Sequence, residues 1–192
     1  FDLGRDGNRR WRKDVAEVTS FFESFGFGGK ALDVAAGTGT WTELIARHAS
    51  QVTAVDGSSE VLDINRQRLD AAGLVERVRY RRVDLFDWEP EESYDLVFMG
   101  FWVSHVPRPL IRPFLDRLVA AIEPDGALAF IDTRAPSNNP RQGPRTLSGE
   151  NEIRTLKLEN HRLRRVSATL PVGELSLTAK ILLLESQLAD SE

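Results

Sequence analysis

The stretch Ala31-Leu-Asp-Val-Ala-Ala-Gly-Thr-Gly-Thr-Trp-Thr42 decides how this chain is read. Ala31 to Ala35 is an apolar run interrupted only by Asp33. Gly37 and Gly39 follow, with Thr38 between them, and then Leu44, Ile45 and Ala49 recur at helical spacing. Thr40 or Thr42 is placed to cap that helix. The order is strand, glycine turn, helix. In an open α/β sheet such a turn lies at the carboxyl end of a strand, where ligands bind. Glycines let a ligand approach the backbone, and a helix N-terminus presents unpaired N–H groups to an anion.

Two more acids extend the pattern. Gln51-Val-Thr-Ala-Val-Asp56 is a second apolar strand ending in an acid, seventeen residues past Gly39. An acid there can accept both hydroxyls of a ribose. Val78-Arg-Tyr-Arg-Arg-Val-Asp84 reads as a third strand, again ending in an acid, with Leu85 and Phe86 next. An acid there can accept from an exocyclic amino group, with its apolar neighbours against purine faces. Any one of these acids is equally a turn residue or a helix cap. Three in this order form a site pattern.

On these residues the chain resembles the class I S-adenosylmethionine-dependent methyltransferases. The resemblance is carried by Leu32-Asp-Val-Ala-Ala-Gly-Thr-Gly39, Val55-Asp56, Val83-Asp84-Leu85, Tyr94-Asp-Leu-Val-Phe-Met99 and Pro124-Asp-Gly-Ala-Leu-Ala-Phe-Ile-Asp132, within residues 10–135. Phe101-Trp-Val-Ser-His-Val-Pro107 is similar to the small bacterial members. The family usually has glycine where this chain has Ala35, a residue suited to that turn at negative φ. The resemblance implies an α/β fold with a doubly wound, mostly parallel sheet, Rossmann-like, closed by an antiparallel C-terminal hairpin. It implies S-adenosyl-L-methionine as cofactor and no metal. The cofactor would be held by Asp33, Ala35, Gly37, Thr38, Gly39, Asp56, Gly57, Ser58, Asp84, Leu85, Phe86 and Met99, with Asp33 toward its amino group. Gly39→Val would then block the pocket. A small-molecule substrate, methylated at oxygen, nitrogen or carbon, is expected near Met99 to Val106 and Asp132 to Arg134. In such enzymes the N-terminal segment, here with Trp11, often covers the cofactor.

At 192 residues the chain suits one domain with a sizeable core. A net charge of −4 gives no reason to expect nucleic acid. The absence of cysteine excludes disulfides, thiolate metal sites and a cysteine nucleophile. No apolar run is long enough to span a bilayer and no signal peptide is recognisable, so a cytoplasmic setting is expected. The chain opens on Phe1 and not on methionine, as a trimmed or processed chain would.

Residues 1–135 are expected to form the cofactor-binding core with an N-terminal cap segment. Asp14 to Phe25 reads as a helix with Val15, Val18, Phe21, Phe22 and Phe25 on one face. Ser58 or Ser59 can cap a helix carrying Leu62, Ile64 and Leu69 that breaks at Gly73, with Arg66 and Arg68 on its wet face. Asp95 to Met99 is a fourth strand, Leu110 to Ile122 a helix, Pro124-Asp-Gly126 a turn and Ala127 to Ile131 a fifth strand. Residues 136–149 are rich in Pro, Asn, Ser and Gly and read as a loop. Residues 150–192 are atypical. Leucines at 156, 163, 170, 177 and 184 fall seven apart, but Pro171, Gly173 and polar core positions oppose a coiled coil. Alternation over Val166–Leu170 and Leu175–Leu183 around Pro171-Val-Gly-Glu174 predicts a hairpin instead. A helix over Glu150–Arg162 is only weakly signalled, and the segment can also serve to pair two chains as a homodimer.

His105 follows the fourth strand, and an imidazole is the side chain there best suited to proton transfer, which makes it the candidate general base. The alternative is a histidine that packs under its loop. Two other functions compete with methyl transfer. A nicotinamide-dependent oxidoreductase would have a third glycine where Thr42 stands, and no acid in its first strand. A non-catalytic pairing protein would have no need of Asp56 and Asp84.

Overall fold

The computed structural model describes residues 28–133, helical positions 16, 19, 20 and 23, and strand backbone at 163–164 and 177–184. The apolar face of the expected Asp14–Phe25 helix, Trp11, residues 134–162 including His161, and the Pro171–Glu174 turn lie outside that set.

Strand β1 (Lys30–Val34) leads into helix α1 (Thr40–His48), then β2 (Gln51–Asp56), α2 (Ser59–Ala71) and β3 (Val78–Arg82). Next come β4 (Tyr94–Gly100), α3 (Arg108–Ala120), β5 (Ile122–Thr133), β6 (Leu163–Arg164) and β7 (Leu177–Leu184). The strand order is β3-β2-β1-β4-β5-β7-β6. The first five strands are parallel, and β7 runs antiparallel to β5 and β6. β1 and β4 are neighbours that the chain leaves in opposite directions. Their carboxyl ends form the switch point where open α/β sheets bind ligands.

The central strands are buried on both faces, which is why β1, β2 and β4 read as near-continuous apolar runs. One face packs Trp41, Ile45 and Ala46 of α1 and Leu69 of α2 on Leu96, Phe98 and Ile131. The other packs Ile111, Phe114, Leu115 and Leu118 of α3 on Val97, Met99 and Leu128. β3 lies at the sheet edge with Arg79, Arg81 and Arg82 exposed. Charge on an edge strand discourages further pairing. Among the described residues, no helix is long and apolar enough to cross a membrane.

Several expectations are corrected. The third strand stops at Arg82, and Asp84 belongs to the following turn. Ile64 is 50% exposed, and the buried stripe of α2 is Leu62, Asn65 and Leu69. Arg66 is exposed as expected, and its guanidinium also sits 4.5 Å over the Tyr80 ring. Neither Thr40 nor Thr42 caps α1: the N-cap is Gly39 at φ 88, without a side-chain bond. Helix α3 ends at Ala120, and Ile122 already belongs to β5. Pro124-Asp-Gly126 sits inside β5, where the pairing with β4 shifts register and Asp125 takes φ 67.

Ala35 is corrected as well. It takes φ 55, not a negative value. A left-handed alanine is strained by roughly 1–2 kcal/mol, and glycine gives back part of that through its looser unfolded chain. Ala35→Gly is expected to stabilise the protein by about 0.5–1 kcal/mol. Thermal unfolding should read this as a rise of about 1–4 °C.

Candidate functional site

The carboxyl ends of β1, β2 and β4 open onto a cleft of about 920 Å³, a size suited to a small-molecule ligand. Asp56, the last residue of β2, is its polar centre. Asp56 Oδ2 accepts the Gly37 N–H and Oδ1 accepts the Ser58 N–H, each at 3.0 Å. Two backbone donors therefore fix the carboxylate, and each oxygen keeps a lone pair for a ligand hydroxyl. Ala35 and the exposed Gly57 line the wall beside it.

Asp84 stands at the second wall. Its carbonyl accepts the Asp87 and Trp88 N–H groups at 3.1 and 2.8 Å, which closes the turn after β3. Its Oδ1 accepts the Phe86 N–H at 3.0 Å, and the residue is exposed. Leu85 and Phe86 supply the apolar part of this wall.

Gly100, Phe101, Trp102 and His105 form the third wall. Phe101 takes φ 58, and its N–H donates to the Ile131 carbonyl at 2.7 Å. A bulky residue in that region stores roughly 1–3 kcal/mol of strain, a feature that clusters at functional sites. A Cβ on Gly100 would lie 2.6 Å from Trp41 Cδ1, so glycine is required where α1 crosses the strand end. The rings of Phe86 and Trp102 lie 6.0 Å apart, and those of Trp102 and His105 lie 6.2 Å apart. His105 is exposed at the end of the 3-10 turn Val103–His105. Packing beneath its loop, the alternative role, is not what this placement shows.

The structure therefore brings Ala35, Asp56, Gly57, Asp84, Leu85, Phe86 and His105 to one cleft. Gly37 and Ser58 stand behind Asp56, where Ser58 caps α2 by accepting the Val61 N–H at 3.2 Å. Thr38, half-buried beside them, is not on the wall. Met99 is corrected: at 0% exposure it belongs to the core. Gly39 is buried too, and a Cβ there would lie 2.6 Å from Asn65 Oδ1. Gly39→Val would thus collide with α2 instead of blocking the cleft.

Asp33 does not reach the wall either. It is 1% exposed, and its Oδ2 accepts the Thr42 hydroxyl at 2.6 Å. Burial pushes its carboxyl up to about 7, the Asp56 charge pushes the same way, and the Thr42 bond opposes them. Thr42 thus fills the position where a dinucleotide fold has its third glycine.

Arg82 and Asn65 are additions that periodicity did not single out. Arg82 lines the cleft and donates from Nε to the Gly57 carbonyl at 3.3 Å. Asn65 lies at the apolar spacing of α2 and is invisible to a hydrophobic pattern. Among the described residues, no cluster of three or more His, Cys, Asp or Glu side chains could hold a metal ion.

The chain is similar to known methyltransferases in sequence and to a solved SAM complex in fold. A demethylmenaquinone methyltransferase of Clavibacter sepedonicus is 34% identical over 110 residues, 57% of this chain and 43% of that protein. A ubiquinone biosynthesis O-methyltransferase of Actinobacillus pleuropneumoniae is 32% identical over 110 residues, 54% of this chain and 45% of that protein. The chain spans about half the length of the curated relatives it matches. A solved structure described as the DhpI-SAM-HEP complex superposes with a TM-score of 0.58 at 25% identity, covering 95% of this chain and 76% of that one. Residues 31–126 match the family model described as a methyltransferase domain, which is half of the 192, and the chain belongs to that family, the class I S-adenosylmethionine-dependent methyltransferases.

Proposed function

We propose that the cleft binds S-adenosylmethionine and that the chain transfers its methyl group to an oxygen, nitrogen or carbon nucleophile of a small molecule. The observation that carries this reading is the Asp56 carboxylate, anchored by two backbone N–H groups and turned to an open cleft. Asp56 would accept the ribose hydroxyls. Asp84 would accept from the adenine amino group, with Leu85 and Phe86 against the purine. Asp33 lends negative charge from behind the glycine turn, toward the amino group of the methionine end. The SAM complex in the structural neighbour supports the cofactor. The demethylmenaquinone in the name of one curated relative, a small molecule, supports the substrate class. A cytoplasmic setting without nucleic acid belongs to the same reading, the latter supported by the net charge of −4.

When bound, S-adenosylmethionine supplies a methyl group on a sulfonium, already activated for transfer. The chain's task is to hold an acceptor in line and exclude water, and positioning alone can lower a barrier by roughly 7–11 kcal/mol. Phe101 and Trp102 wall the acceptor end. His105 stands where it can take a proton from an acceptor hydroxyl.

Calorimetric titration of the full chain with S-adenosylmethionine, S-adenosylhomocysteine, NAD and NADP tests the reading. Binding of the first two alone is expected; binding of NAD alone would overturn it. For His105→Ala, kcat with an acceptor hydroxyl is expected to fall on the order of 100-fold. Affinity for S-adenosylhomocysteine and the melting temperature should hold. A kcat unchanged in this variant would leave catalysis to positioning.

A further inference from the structure

We infer that Asn65 is a positioning residue for the cofactor site, clamping the Gly37 carbonyl from within α2 so that the Gly37 N–H meets Asp56. This rests on the proposed cofactor reading. Leu62, Asn65 and Leu69 form the buried stripe of α2, at 5%, 0% and 0% exposure. An apolar residue would satisfy packing at the middle position. A buried amide there is unfavourable unless its polar atoms are bonded.

They are bonded, and in a directed way. Asn65 Nδ2 donates to the Gly37 carbonyl at 3.2 Å and to Thr42 Oγ1 at 2.8 Å. The Tyr80 hydroxyl donates to Asn65 Oδ1 at 3.2 Å. The Gly37 carbonyl, which can only accept, sets which way the amide faces, since the reverse orientation would oppose it with an amide oxygen. Thr42 passes the chain on to Asp33. Gly39 makes the approach possible, because a Cβ there would occupy the space of the Asn65 amide.

Gly37 is the residue in need of a clamp. It takes φ 56, and a Cβ on it would meet only the Ala35 carbonyl, at 3.9 Å. Packing does not fix its orientation; hydrogen bonds do. Its N–H is held by Asp56 and its C=O by Asn65. Asn65 thus supports one of the two backbone donors that fix the Asp56 carboxylate, the other being the Ser58 N–H.

Amide hydrogen exchange of the ligand-free full chain, with calorimetric titration by S-adenosylhomocysteine, tests this. Asn65→Leu keeps the shape and the apolar stripe but removes the clamp. Exchange at the Gly37 amide is expected to quicken about tenfold or more, with a similar rise in Kd and a melting temperature within a few degrees of wild type. Asn65→Ala should do the same if leucine proves too bulky to fold. Tyr80→Phe, which leaves Nδ2 in place, should change Kd less than about threefold. Unchanged Gly37 exchange in a folded Asn65 variant would overturn the clamp. So would faster exchange spread evenly over α2 and β2, or faster Gly37 exchange with unchanged Kd. If the wild type binds no S-adenosylhomocysteine, the cofactor reading fails, while the exchange result still reads the clamp by itself.

Discussion

Asp56→Ala is expected to weaken S-adenosylhomocysteine binding by at least about 100-fold while the protein stays folded. Two charge-assisted hydrogen bonds to the ribose contribute on the order of 1.5–3 kcal/mol each, and about 1.4 kcal/mol is a factor of ten in affinity. The variant also releases the Gly37 and Ser58 N–H groups that the carboxylate holds at 3.0 Å. Both lie beside the cleft in a half-buried region, where water can replace the lost acceptor. Stability should therefore fall much less than affinity. Calorimetry beside a melting curve separates the two, and wild-type affinity in a folded variant would remove Asp56 from the site.

Asp33→Asn is expected to act the other way, stabilising the fold while weakening the cofactor site. Asp33 is 1% exposed, and burial raises its carboxyl from an ordinary 3.8 to about 7. A carboxyl with a raised folded-state pKa binds more protons folded than unfolded. Its contribution is fully present below pH 3.8 and is lost as pH rises through about 7. A tenfold difference in proton affinity between the folded and unfolded chain corresponds to about 1.36 kcal/mol, so the loss by pH 8 is roughly 4 kcal/mol. Asparagine never ionises and can still accept the Thr42 hydroxyl. The variant should gain roughly 2–4 kcal/mol at pH 8 and little near pH 4, less whatever its new N–H groups leave unbonded. Denaturant unfolding at the two pH values reads this directly, and an equal gain at both would mean that ionisation of Asp33 is not the cause. Affinity for S-adenosylmethionine should fall at pH 8, because the charge behind the turn is gone. A carboxylate kept at such a cost fits a site where function outweighs stability.

The alternation of strands and helices, the glycine turn and the acids that follow it are all legible in the sequence, because each depends on local chemistry. Val52, Ala54 and Val55 must be apolar because both faces of β2 are covered, and Asp56 marks where the covered strand ends. The direction of each side chain is set by tertiary packing. Asp33 and Met99 read as site residues from their place along the chain, yet Asp33 turns to Thr42 and Met99 into the core. Phe101 reads as an apolar wall, and neither its φ of 58 nor the Trp41 ring 6.2 Å away is visible in the local sequence. Asn65 stands 28 residues from Gly37 in the chain. Periodicity registers it as a polar residue on a helix. Its bonds to Gly37, Thr42 and Tyr80 exist only because α1, α2 and β3 meet on one face of the sheet. A hydrogen bond between distant elements depends on where the backbone places both partners, and no local pattern carries that information.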